Sequence, residues 1–219
     1  MSKETMSKTV ITSEHLAKAM TYTQYRELMD TLLAENKTTG TNHSEAMVEY
    51  TRMNAQRMRR VEKTTELDNE LVDLMLSVQN RMIWVIVTEA WCGDAAQTVP
   101  ALVKIAEASP LIEVKLLLRD EYPEVIDAYL TNGGRSIPKL IVLDAETMEE
   151  VGTWGPRPAP AQALFMEMKA KDVPYSEFVE KLHGWYGKDR SKALLQEFKE
   201  LIPQWGHLQH IEEQPMERF

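Results

Sequence analysis

Cysteine is almost missing from this chain: Cys92 is the single one in 219 residues. A lone thiol cannot close an intramolecular disulfide, so a disulfide framework is excluded. Zinc sites built on several thiolates are excluded with it. Long apolar runs are missing too. The longest, Met82 to Trp91, is interrupted by Thr88 and Glu89 and falls far short of the roughly 20 residues that cross a bilayer. The opening stretch MSKETMSKTV has no apolar signal-peptide run. A cytoplasmic location without a membrane partner is the expectation, and there thiols stay reduced. Positive charge is in deficit, with 25 Lys+Arg against 34 Asp+Glu and a formal charge of -9. That argues against a nucleic-acid partner, because phosphate backbones attract basic surfaces. Of five histidines, His207 and His210 are spaced for ligation but lie in a polar tail with no acid or thiol fixed beside them. No metal and no cofactor is therefore expected.

What remains is an ordinary globular composition, 43% apolar and 27% charged, enough to build a core. The first eighty residues read as helix, with Leu16, Met20, Tyr25, Leu28 and Leu32 at near-helical spacing. Thr21 and Gln24 form a possible capping box. The polar KTTGTN segment, 37–42, ends that stretch. A second helix is predicted over 44–63 and a third over 67–79. Arg52, Arg57, Arg59 and Arg60 on the second read as a solvated face.

From Met82 the pattern changes. MIWVIV, 82–87, is continuously apolar and β-branched, as in a strand buried on both faces. A helix is predicted over 98–108, a strand over 112–118, a helix over 122–130 stopped at Asn132-Gly133-Gly134, a strand over 139–143 and a fourth over 150–154. The order β-α-β-α-β-β implies an α/β fold, with a parallel part where helices intervene and an antiparallel closing hairpin. Helices follow over 159–171, 174–185 and 189–201, with a polar tail from Pro203. The organisation expected is an N-terminal helical extension (1–80), a central α/β domain (81–171) and a C-terminal helical extension with tail (172–219).

The chemistry concentrates where the first strand ends. Cys92 follows the strand and opens a helix, at the sheet edge where open α/β folds bind ligands. Unpaired N–H groups and the helix dipole there favour a thiolate, and helix N-termini can lower a thiol from near 8.5 to about 3.5–7.5. The alternative is a small buried apolar residue. Asp94, two residues on, suits a helix N-terminus, yet its charge would oppose thiolate formation. His183, in His183-Gly184-Trp185-Tyr186-Gly187, reads as a packing residue.

Trp91-Cys92-Gly93-Asp94-Ala95 resembles the Trp-Cys-x-x-Cys active site of thioredoxin-fold proteins. More narrowly, it resembles bacterial thioredoxin-like proteins whose motif reads Trp-Cys-Gly-Asp-Cys. Pro100 stands where that family has a helix-kinking proline, and Ser136-Ile137-Pro138 where it has a cis-proline before a strand. The resemblance covers 82 to about 154, extending at most to 171. It implies a thioredoxin-like fold with extra helices at both ends. It also implies a catalytic Cys92, with substrate contacts from Trp91, Gly93, Asp94, Ile137 and Pro138. Arg135 and Arg157 could meet an anionic substrate such as glutathione. Two departures bear on function. Ala95 replaces the second Cys, and Ile86 replaces a buried acid of thioredoxin itself. Any adduct on Cys92 needs an outside thiol for release. Two functions are open: monothiol exchange with a protein disulfide or low-molecular-weight thiol, or a redox-inactive protein-binding module.

Overall fold

A computed structural model describes residues 10–206. Four strands form one sheet in the order β2-β1-β3-β4. β1 (Met82–Thr88) is central, with Trp84, Val85, Ile86 and Val87 wholly buried. Helices cover both of its faces, which is why its apolar run is continuous rather than alternating. β2 (Ile112–Leu118) pairs with it in parallel, Met82 opposite Ile112 through Thr88 opposite Leu118. β3 (Lys139–Asp144) runs antiparallel to β1, Met82 opposite Asp144. This corrects the expectation that strands separated by helices run parallel. The intervening α6 (Pro123–Asp127) is a five-residue helix, shorter than the predicted 122–130. The chain after it passes the end of β1 and returns antiparallel on its far side. β4 (Glu150–Trp154) closes the antiparallel hairpin.

The N-terminal stretch divides into α1 (Ser13–Lys18) and α2 (Tyr22–Ala34), and the Thr21–Gln24 capping box is formed. Between them Met20 makes a two-way bridge with Leu116, N–H to carbonyl at 2.9 and 2.8 Å. That covers the outer edge of β2, which would otherwise offer unpaired groups to another chain. α3 (Glu45–Thr64) lies along α5 (Gly93–Ala106) and buries Ala55, Met58 and Val61. α4 (Asn69–Leu76) starts under an Asp68 cap on the Leu71 N–H.

Beyond the sheet come α7 (Ala159–Ala170), α8 (Tyr175–Asp189) and α9 (Lys192–Trp205). α9 runs on through Pro203, and Trp205 is buried, so this part of the expected loose tail is ordered helix. His207 and His210 lie outside the described residues. α1 to α5 and α9 share the core of the sheet. α7 and α8 hold a separate small cluster of Ala161, Met168, Leu182 and Tyr186. Among the described residues no helix is long and apolar enough to cross a membrane.

Candidate active site around Cys92

The β1–α5 turn is held from the N-terminal helices. The Ala90 carbonyl accepts a hydrogen bond from Asn54 Nδ2 at 2.9 Å, and the Ala90 N–H donates to Thr39 Oγ1 at 2.9 Å. Asn54 sits on α3 and Thr39 on the loop before it. Both are buried, so each removes a pairing defect that burial would make costly. Cys92 is then the N-cap of α5, in extended conformation, and its carbonyl receives the Ala96 N–H. The helix starts five residues earlier than the predicted 98.

The Cys92 Sγ donates to the Ile137 carbonyl oxygen at 3.3 Å. The Ile137–Pro138 peptide is cis, as is Gly155–Pro156. Gly155 has φ +113°, and a Cβ on it would lie 2.3 Å from the Pro138 carbonyl oxygen. Only glycine lets the two loops approach this closely. Trp91 is half-buried with the Arg119 guanidinium 4.6 Å above its ring, a cation–π contact.

Asp94 is committed to two partners. Its Oδ2 meets Arg157 Nη2 at 2.6 Å, and its Oδ1 accepts from the Tyr186 hydroxyl at 2.8 Å. Arg157 also stacks its guanidinium 3.9 Å over Phe165 of α7. One carboxylate thus ties the start of α5 to α8 and to the β4–α7 connection. Arg135, by contrast, is exposed and paired with Asp127 through two 2.6 Å bonds. Both arginines considered for an anionic substrate are therefore engaged by acids.

Cys92 is only 8% exposed. Burial, and next the Asp94 charge, push its thiol up to about 12, against the N–H groups of Ala95 and Asp94 and the Arg157 charge. The helix N-terminus acts in the expected direction but is outweighed. Its effect is about 0.3–1 kcal/mol, whereas full burial can move a group by several pH units.

Sequence reasoning missed several residues here. Glu89 is wholly buried; its Oε1 accepts the Asp120 N–H at 2.9 Å, and the Thr39 side chain also favours its charge. Burial pushes its carboxyl up. A charge inside the apolar run 82–91 was the available signal. Tyr186 and Gln97 gave none, since their partners lie far along the chain. The basic face of α3 is solvated as expected at all but one of its four arginines. Arg52, Arg59 and Arg60 are exposed, Arg60 also reaching Gln97, but Arg57 is half-buried against Asn54.

His183 is more than packing. Its Nδ1 meets Gln97 Nε2 at 3.2 Å, and burial with Arg57 and Arg60 lowers it to about 4. Between pH 6.5 and 4 the unfolded chain therefore binds a proton that the native state refuses, so this site's contribution to stability falls as pH drops through that window. His183→Gln should flatten the acid limb of Tm measured against pH. An unchanged limb would mean the ring is not held neutral. Among the described residues no cluster of His, Cys, Asp and Glu could hold a metal.

A mixed sheet with a cysteine at the first strand–helix turn facing a proline loop defines the thioredoxin-like class. A family model described as "Thioredoxin" matches residues 40–170, more than half of the chain, so the protein belongs to that family. The match begins well before Met82 and takes in α3, whose Asn54 holds the Ala90 carbonyl. No curated protein matches the chain. Two solved structures share the fold. One is a protein of unknown function from Pseudomonas aeruginosa, 16% identical with a TM-score of 0.58, covering 87% of this chain and 96% of that one. The other is an HIV epitope scaffold, 18% identical with a TM-score of 0.56 and the same coverage.

Proposed function

We propose that this protein performs monothiol thiol–disulfide exchange through Cys92 in the cytoplasm, on a protein disulfide or the disulfide of a low-molecular-weight thiol. The observation that carries the reading is the Cys92 sulfur lying 3.3 Å from the carbonyl of Ile137, directly before Pro138. Ile137 offers backbone for an extended substrate, and Pro138 has no N–H and no reactive side chain. Trp91 and Gly93 flank the sulfur, and Asp94 positions α8 beside it.

In the exchange, Cys92 loses its proton to a solvent base and its thiolate attacks one sulfur of R–S–S–R. The Cys92–S–S–R bond forms and RS⁻ leaves, taking up a proton. Ala95 cannot resolve this adduct, so a second thiol attacks the substrate sulfur, forms the new disulfide and returns Cys92 as thiolate.

The test is incubation with oxidised glutathione, read by intact mass. One added glutathione per chain is expected on the wild type and none on Cys92→Ser. No added mass on folded wild-type protein would favour the second reading, a redox-inactive binding module. The buried thiol, pushed up to about 12, is the observation that favours that alternative.

A further inference from the structure

A second site lies between α3, α5 and α8. A cavity of 220 Å³ there is lined by Arg60, Gln97, Arg190, Ser191, Thr64 and Tyr186, among others, with no carboxylate in its wall. Arg60 Nη2 donates to Gln97 Oε1 at 2.7 Å. A guanidinium can only donate, so it turns the Gln97 amide nitrogen towards His183 Nδ1, which must accept. The neutral ring then carries its proton on Nε2. That N–H faces Gly93, where a Cβ would lie 2.8 Å from Nε2 and 3.8 Å from Arg57 Nη1.

Arg57, Arg60 and Arg190 make no ion pair among the described residues, although acids outnumber bases in the chain. Of the nearby acids, Asp94 is paired with Arg157 and Tyr186, and Asp189, outside the cavity wall, accepts the Ala193 N–H at 3.2 Å and faces Lys192. The cavity wall itself therefore carries two cations, Arg60 and Arg190, and no carboxylate.

From this geometry we propose that the α3–α5–α8 cavity is a binding site for a phosphate group. Two guanidiniums, Arg60 and Arg190, in a wall without a carboxylate match an oxyanion, and their planar forks suit phosphate oxygens. A water occupies about 30 Å³, so the cavity holds roughly seven. A five-atom tetrahedral anion fits with room for the small group bearing it. A long polyanion is disfavoured by the -9 charge. The proposal does not rest on thiol–disulfide exchange at Cys92.

The experiment is calorimetric titration of the full chain with inorganic phosphate and, separately, phenyl phosphate, at constant ionic strength set with chloride. Saturable binding of either is expected, and the tighter of the two tells whether free phosphate or a phosphomonoester is the better ligand. Arg60→Gln and Arg190→Asn should each weaken it by about tenfold. Arg190 is exposed at a left-handed helix cap that Asn tolerates, so that variant folds even if the other does not. Arg59→Gln, exposed on the same helix, should stay within about twofold. Failure of both ligands to saturate on wild type, or equal weakening by Arg59→Gln, overturns the proposal.

Discussion

Iodoacetamide should alkylate Cys92 on the order of a thousandfold more slowly than free cysteine at pH 7. A thiol pushed up to about 12 holds that much less thiolate than one near 8.5. The rate should rise about tenfold per pH unit through pH 8 to 10, without the plateau an ordinary thiol reaches. Asp94→Asn removes the like charge beside the sulfur and one end of the tie to Arg157 and Tyr186. A gain of about tenfold at fixed pH is expected, since that factor corresponds to about 1.4 kcal/mol. Cys92→Ser supplies the zero, because no other thiol exists. A wild-type midpoint near 8.5 would mean that the sulfur is not buried.

This outcome bears on both functional readings. Exchange at Cys92 requires that the sulfur ionise and that a disulfide reach it. Burial opposes the first and the Tyr186–Asp94–Arg157 tie the second. A reactive form would need α7 and α8 displaced from the start of α5. Those two helices pack chiefly on each other, with their own apolar cluster, so they can move without opening the main core.

Much of this was legible in the sequence. The unbroken apolar run of β1 announced a central strand, because only a strand covered on both faces omits polar alternation. The capping box at Thr21 and the position of Cys92 at a strand–helix turn are local signals, and both are formed. The direction of β3 was not legible. A helix between strands argues for a parallel crossover, and nothing local says that α6 stops after five residues. The Asp94–Tyr186 bond joins residues 92 positions apart, and Arg60 meets Gln97 over 37. Such pairs arise only once helices pack. The thiol's behaviour turned on magnitude: both effects could be named from Cys92's place, but the depth of its burial, which decides between them, could not.

Phe198→Ala should destabilise the protein by about 3–5 kcal/mol. Phe198 is wholly buried on α9 at the centre of an aromatic group, its ring 5.5 Å from Trp84, 5.8 Å from Trp154 and 5.7 Å from Trp205. Three indoles on two strands and a helix end cannot all collapse into the space left by one ring, so the cavity term stays large. At about 2–4 °C per kcal/mol for a chain of this size, Tm should fall by about 10 °C. Phe198→Leu keeps most of the volume and should lose less than half of that. The loss should also reach the site. Glu197, next to Phe198, accepts from the Trp154 indole at 2.7 Å and from the Ala159 N–H that opens α7. Loosening α9 therefore loosens the anchor of α7 and α8, and Cys92 alkylation should accelerate in Phe198→Ala at temperatures well below its Tm. A large Tm drop with an unchanged alkylation rate would show that α7 and α8 are held over Cys92 by the Asp94 tie alone.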